Sequence, residues 1–390
     1  MTKKIGILTI HHTNNPGSIL QAYSQASAFQ NHFDDTGVEI IDYRARNKEM
    51  KEIKKIFINL IKLRFDPFNE YMTYKDSMDK YLPLGNKTIT TDDYKKAIDF
   101  LKNEYDIIVV GSDELWKTIS NKFQRPFPNI YWLAPEIKAT KIAFAVSANR
   151  CEYKDISEKN RKIGKKLIEN FDFLGVRDDH TSKLIKMLNV GNKIIHKVPD
   201  PTFANDLDMK SLEKVRNKIV KEGVNLQKPI LGFYGSLPSH INNYNPNILL
   251  KYYKKQGYQI VSLKGKHSFS DIHLKGILDP FEWSIVFGLC DFCITTTYHG
   301  TIFSIKNKTP FLSIEHADYY KRIKGKIRDL LEEMSLTDNY CYLPDIKNKK
   351  ELIHISNHSK DNFDKSMVEK KVYKMKNRYY KALKMVEILL

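Results

Sequence analysis

The chain has 390 residues, of which 42% are hydrophobic and 12% aromatic; that suits two domains of ordinary core size and excludes a disordered chain. Lys and Arg outnumber Asp and Glu by 64 to 46, a formal net charge of +18, which predicts attraction to anions such as nucleic acid, anionic lipid headgroups or phosphorylated metabolites. No apolar run approaches the ~18 residues of a membrane span, and four scattered cysteines exclude a disulfide framework or a four-ligand zinc site.

Strand-like and helix-like segments alternate along the chain, the pattern of doubly wound parallel sheets. The start, MTKKIGILTIHH, is too short in apolar residues for a secretory signal, so a cytoplasmic location is expected. KIGILTIH (4–11) reads as a strand, followed by a Gly/Asn/Pro loop and a helix over 18–30; GVEIIDY (37–43) is the next strand. Residues 44–66 mix Lys and Arg with Ile, Phe and Leu, an amphipathic pattern that suits an ordinary surface helix or one lying on a membrane. Strands follow at 105–113, 141–148 and 171–179, then a helix at 180–188 and a closing strand at 194–201.

Polar residues 202–228 read as one solvated helix between two strand-rich halves. The second half repeats the theme. It predicts strands at 229–236, 258–265, 292–300 and 310–315, and helices at 281–289, 301–307, near 322–333 and over 365–390, the last basic and able to pack back on the body. The expected organisation is a domain over 1–205, a second over 206–364 and the terminal helix 365–390. The fold class is α/β, with two doubly wound Rossmann-like domains facing a cleft, and ligands bind such sheets outside the carboxyl ends of the strands.

Four strand ends carry polar residues that packing does not fully explain. HHTNNPGS (11–18) is a strand-to-helix turn that aims backbone N–H groups forward, either as a plain connection or as an anion site. Asp113, in GSDELW, either caps a helix or accepts a proton or hydrogen bond from a substrate hydroxyl. Arg177, in GVRDDH, either pairs with Asp178 and Asp179 or forks an anionic ligand. His299 stands beside Gly300 in TTTYHG, where a helix N-terminus disfavours the protonated ring and an anionic ligand favours it, which suits a switchable proton donor. His11 and His12 point to opposite faces of a strand and cannot easily grip one metal ion. Cys290 and Cys293 have redox-motif spacing but open an apolar strand, so they read as core cysteines. The basic residues are not interleaved with aromatics on one sheet face, so no nucleic-acid partner is expected.

The series NPGSILQAYS, VVGSDELW, FAVSA, GVRDD, PDPTF, DPFEW, TTYHGTIFSIKNKTPFLSI and the Arg-Asp-Leu-Leu at 328–331 resembles the polysaccharide pyruvyl transferase family over roughly residues 4–332. The resemblance implies a glycosyltransferase-B-like fold with the acceptor on the N-terminal side and the donor on the C-terminal side. It also implies transfer of pyruvate from phosphoenolpyruvate to two hydroxyls of a sugar in a cell-surface polysaccharide or its lipid-linked precursor. The product is a cyclic ketal, no cofactor is needed beyond the donor substrate, and the setting is capsule, exopolysaccharide or cell-wall synthesis at the inner face of a membrane. It points to His299 as acid and Asp113 as the group that binds or deprotonates the acceptor, with Arg177, Asn15, Gly17, Ser112, Thr297, Tyr298, Gly300 and Arg328 binding substrate. Some members carry Arg where this chain has Thr297, so a second anion contact is expected from Lys264, Lys266 or Arg328. Two other readings fit the residues: a nucleotide-sugar-dependent glycosyltransferase of the same fold, and a non-catalytic anion- or lipid-binding assembly protein.

Overall fold

The computed structural model describes residues 3–33, 36–117, 127–321 and 323–389. The chain divides into two compact units, one made of Met1–Phe65, Lys75–Asn205 and Met375–Leu390, the other of Asp66–Tyr74 and Asp206–Lys374. The change at Asn205/Asp206 lies where the sequence turns polar. Two helices are divided between the units, which the periodicity of a single helix cannot reveal.

The first unit is built on strands β1 (Lys3–Leu8), β2 (Thr36–Arg44), β3 (Leu84–Thr90), β4 (Ile107–Val110), β5 (Thr140–Val146), β6 (Phe173–Val176) and β7 (Ile195–Lys197). They form one sheet in the order β3-β2-β1-β4-β5-β6-β7, every pairing parallel. Parallel strands covered on both faces read as apolar runs, and β4, IIVV, is buried at all four residues. The helices are α1 (Pro16–His32), α2 (Arg46–Ile61), α3 (Asp66–Tyr81), α4 (Tyr94–Leu101), α5 (Glu158–Glu169) and α6 (Asp179–Met187). Of α3, residues 66–74 belong to the second unit. Trp116 and Trp132 stack in the core with ring centroids 5.3 Å apart. Strand β3, LGNKTIT, escapes sequence reading because its Gly, Asn and Lys are poor strand formers tolerated on a largely exposed edge.

The second unit contains α7 (Leu212–Lys221), β8 (Ile230–Tyr234), α8 (Ile248–Lys255), β9 (Gln259–Ser262), β10 (Ile272–His273), α9 (Pro280–Val286), β11 (Phe292–Thr295), α10 (Tyr298–Lys306), β12 (Phe311–Glu315), α11 (Lys326–Glu333), β13 (Tyr340–Tyr342), α12 (Lys349–Asp361) and, as far as Lys374, α13 (Lys365–Glu387). Its sheet runs β10-β9-β8-β11-β12-β13, again parallel throughout. The expected long helix over 202–228 is only α7, ten residues that bury Val215 and Ile219. Residue 322, at the start of the helix expected near 322–333, lies outside the described residues, and α11 starts at Lys326. From Met375 on, α13 is part of the first unit, where Met375, Tyr379, Leu383 and Val386 are buried and Tyr379 lies edge-on to Phe144 of the same unit at 5.2 Å. These residues are spaced i, i+4, i+8, i+11, one face of a helix.

The four cysteines are free and buried. The Cys290 thiol is pushed up by its hydrogen bond to Cys293 and by burial, the state of an inert core thiol rather than a reactive one.

Candidate functional site

In the first unit, five of the quoted motifs converge at the carboxyl ends of β1, β4, β5 and β6. Val110 ends β4, and Gly111 then takes φ +139, where a Cβ would lie 1.8 Å from the Phe144 carbonyl oxygen. Only glycine lets the chain pass so close to β5. Asp113 follows at φ +99, a left-handed conformation costly for a residue with a side chain. It is held there because its carbonyl accepts from Ser147 N at 2.9 Å and it bridges Val146. Such strain over-determined by its surroundings is a frequent mark of a functional position.

The carboxylate of Asp113 accepts from Ser18 Oγ at 3.1 Å and from the Glu114 backbone at 2.8 Å, with Arg177 Nη2 at 3.7 Å from Oδ1. Its side chain keeps 13% exposure, whereas that of Arg177 keeps 1%. Arg177 donates to Asp200 at 2.9 Å and to Ser112 Oγ at 3.5 Å. Gln21 of α1 donates to Ser112 Oγ at 3.3 Å and to Asp200, while Thr9 donates to the Ser112 carbonyl at 3.0 Å. Asp200, of the PDPTF motif, is anchored in turn by Thr202 N and Oγ1 at 3.0 and 2.7 Å.

This geometry corrects the expectation for Arg177. Its partners include Asp200 and Asp113, while Asp178 caps α6. Arg177 and Ser112 are both buried. The α1 turn is corrected in the same way. Helix α1 starts at Pro16 with exposed Asn15 as its cap, accepting from Gly17 N at 3.1 Å, so Gly17 sits buried inside the first turn. The positive end of α1 faces the Asp113 carboxylate through Ser18 and is already complemented. The first unit thus presents a fixed, partly exposed carboxylate suited to accepting a hydroxyl proton.

Beside this cluster, His11, read from the sequence only against metal binding, meets Asp42, which the sequence did not single out. His11 donates or accepts at 2.9 Å with Asp42, which also takes both Arg44 and Thr88. Burial pushes the Asp42 carboxyl up, but the His11, Arg44 and Thr88 hydrogen bonds outweigh it and hold it below the usual range. Neighbouring His12 is held down to about 4 by burial and by Arg44, so it is neutral near pH 7. A histidine pair in the sequence was the only signal.

In the second unit, strand β11 ends at Thr295 and Thr297 caps α10, its hydroxyl accepting from Gly300 N at 3.1 Å. This corrects two expectations. The helix starts at Tyr298, not after Gly300, and the Thr297 hydroxyl is occupied as a cap. His299 is therefore the second residue of the helix, buried, with its ring edge-on to Tyr298 at 5.7 Å. Lys326 Nζ lies over the Tyr298 ring at 5.1 Å, and Lys264 Nζ over Tyr234 at 5.9 Å. A helix N-terminus with an imidazole and nearby ammonium groups favours a negative ligand. Arg328 instead donates to Glu332 at 2.8 Å on the exposed side of α11, which leaves Lys326 better placed than Arg328 to add a charge.

Glu315 at the carboxyl end of β12 was also missed. It is 2% exposed; burial pushes its carboxyl up to about 7, against hydrogen bonds from Tyr340 (2.8 Å), Tyr320 and the Ile327 backbone. Gly325, the N-cap of α11, has no side chain to cap with, and a Cβ there would lie 2.4 Å from both Glu315 oxygens. Glu315 thus supplies the missing cap. The DPFEW motif is likewise a helix start: Asp279 and Glu282 form a capping box on α9, and Glu282 is ion-paired with Lys214 and Lys218 at 2.9 and 2.6 Å.

Asn15, Gly17, Ser112, Asp113 and Arg177 lie in the first unit and Thr297, Tyr298, His299, Gly300 and Arg328 in the second. A hollow of about 410 Å3 in the second unit, lined in part by Tyr244, Lys251 and Lys347, contains none of them. Among the described residues no group of His, Cys, Asp or Glu is arranged to hold a metal ion.

A family model described as polysaccharide pyruvyl transferase matches residues 15–319, which include Asp113, Arg177, Asp200, Thr297 and His299. The chain belongs to that family. No curated protein matches it. Among solved structures it is similar to the UDP-GlcNAc 2-epimerase of Methanocaldococcus jannaschii, at 11% identity and TM-score 0.54, covering 93% of this chain and 94% of that one. It is also similar to the ADP-heptose lps heptosyltransferase II of E. coli, at 10% identity and TM-score 0.44, covering 95% and 99%. Only the epimerase likeness carries an inference, and that is to the fold: α/β, glycosyltransferase-B-like, with two parallel sheets.

Proposed function

We propose that this member of the family transfers the pyruvyl group of phosphoenolpyruvate to two hydroxyls of a sugar in a cell-surface polysaccharide or its lipid-linked precursor. Family membership over 15–319 carries this reading. The two polar poles support it, one carboxylate-rich and one at a helix N-terminus.

In this mechanism the donor anion lies at the α10 N-terminus with Lys326 near. Protonated His299 gives its proton to the methylene carbon of phosphoenolpyruvate, and C2 becomes an oxocarbenium centre. The first sugar hydroxyl adds to C2 as its proton passes to Asp113, which Ser18 holds in place beside Arg177. The bond from C2 to the phosphate oxygen then breaks. The second hydroxyl adds to C2 and closes the ketal. Of the two hydroxyl protons lost, one balances that delivered to carbon and the other leaves with phosphate.

The test is to incubate the protein with phosphoenolpyruvate and candidate sugars, following phosphate release and the gain of a pyruvate ketal on the sugar by mass. Phosphate and ketal appearing in equal amounts is the expected result. Turnover of nucleotide-sugars, with a melting temperature raised by them and not by phosphoenolpyruvate, would overturn the reading.

A further inference from the structure

Helix α2 contributes nothing to any core: none of its sixteen residues is buried. Yet Met50, Ile53, Phe57 and Ile61 recur at i, i+3, i+7 and i+11, one stripe of the helix. All four are exposed, Phe57 by 63% and Ile61 by 68%. The stripe continues into the following turn, where Leu63 and Phe65 are exposed as well. Folding of the first unit gives no reason for these side chains to be apolar, because the half-buried residues of α2 (Lys48, Glu49, Glu52, Ile56, Asn59 and Leu60) lie on the other side of the helix.

The charges on the same helix identify the occupant. Lys48, Lys51, Lys55 and Lys62 recur at i, i+3, i+7 and i+14, a band that flanks the apolar stripe. From Arg46 to Phe65 there are seven Lys or Arg (Arg46, Lys48, Lys51, Lys54, Lys55, Lys62 and Arg64) against Glu49 and Glu52, a net charge of +5. A partner protein's apolar groove would be served by the stripe alone. An apolar stripe bordered by a dense basic band is what a helix needs to sit in the headgroup layer of an anionic bilayer, its rings among the acyl chains and its ammonium groups at the phosphates. Five basic groups and two acidic ones prevent α2 from crossing the bilayer, and among the described residues no helix is long and apolar enough to do so.

We propose that α2 and the turn after it, residues 46–65, dock this protein on an anionic lipid surface. The inference does not depend on pyruvyl transfer, since it rests on a helix remote in sequence from Asp113 and His299. The full-length protein is sedimented with vesicles of phosphatidylcholine alone and of phosphatidylcholine mixed with phosphatidylglycerol. It should bind the mixed vesicles and not the neutral ones, and added salt should release it. Phe57→Glu with Ile61→Glu, and separately Lys51→Glu with Lys55→Glu, should each lower binding by roughly tenfold or more with the unfolding midpoint unchanged, because no buried contact is lost. Absence of binding to the mixed vesicles overturns the proposal, as does equal binding to neutral vesicles or binding that both variants retain. A self-association abolished by Phe57→Glu in protein that ignores vesicles would also overturn it, and would make the stripe a protein interface. Turnover on a water-soluble acceptor, measured alongside, separates these outcomes from a failure of the pyruvyl-transfer reading.

Discussion

Replacing Glu315 by Gln should change how the stability of the second unit depends on pH. The carboxyl lies at the end of β12 against the N-terminus of α11, and burial raises it from the ordinary 4.5 to about 7. Between those two values the folded state binds a proton that the unfolded chain has released, so stability is fully present below about 4.5 and falls as pH rises through 7. A difference of about 2.5 in pKa corresponds to about 3 kcal/mol over that window. His12 acts oppositely in nearly the same range, since its imidazole is held down to about 4 and the unfolded chain takes the proton first. The parent alone can therefore show a shallow profile, and the informative quantity is the difference between variant and parent. Urea unfolding of both, from pH 4.5 to 8, should show Glu315→Gln gaining about 3 kcal/mol relative to the parent as pH rises. Parallel profiles would refute the reasoning, because they would mean that Glu315 releases its proton in the folded and unfolded states alike.

Gly325→Ala should destabilise by about 1–3 kcal/mol through the clash with Glu315, and Glu315→Ala in the same chain should recover part of the loss in a double-mutant cycle followed by denaturation. Arg177→Leu leaves Asp200 and Asp113 without their cation and should cost about 3–5 kcal/mol; a loss too small to measure by urea unfolding would show that the pair is not closed as described. His299→Ala should abolish ketal formation and Asp113→Asn should lower kcat by about 10²-fold or more, both with a near-parent unfolding midpoint. Full activity in either variant would remove that residue from the mechanism.

Several local features could be read without coordinates. The run IIVV announces a buried strand, and the polar Asp113 after it marks the strand's end, while the positive φ at Gly111 and Asp113 is visible only in the structure. The spacing of Met50, Ile53, Phe57 and Ile61 fixes an apolar helix stripe from the chain alone, since helical periodicity is a local property. What the chain could not show was which of its own groups would meet. Arg177, Asp200, Gln21 and Ser112 are separated by up to 179 residues in sequence, and only the parallel register of β1, β4, β5 and β6 gathers them. An exposed fork and a buried ion pair have the same local sequence.

The same limit explains Glu315. Its apolar strand predicts burial of the neighbours, but the glycine that lets α11 press on the carboxyl, and the Tyr340 hydroxyl that meets it, come from later in the chain. Sequence by itself determined the alternation of elements, the family motifs and the polar residues at the strand ends, because each depends on short-range spacing and backbone chemistry. Tertiary structure decided the rest: that the charge of Arg177 is taken by two carboxylates, that Thr297 is a cap, and that the stripe on α2 stays uncovered. Pairing and burial are properties of distant segments brought together, so no local pattern encodes them.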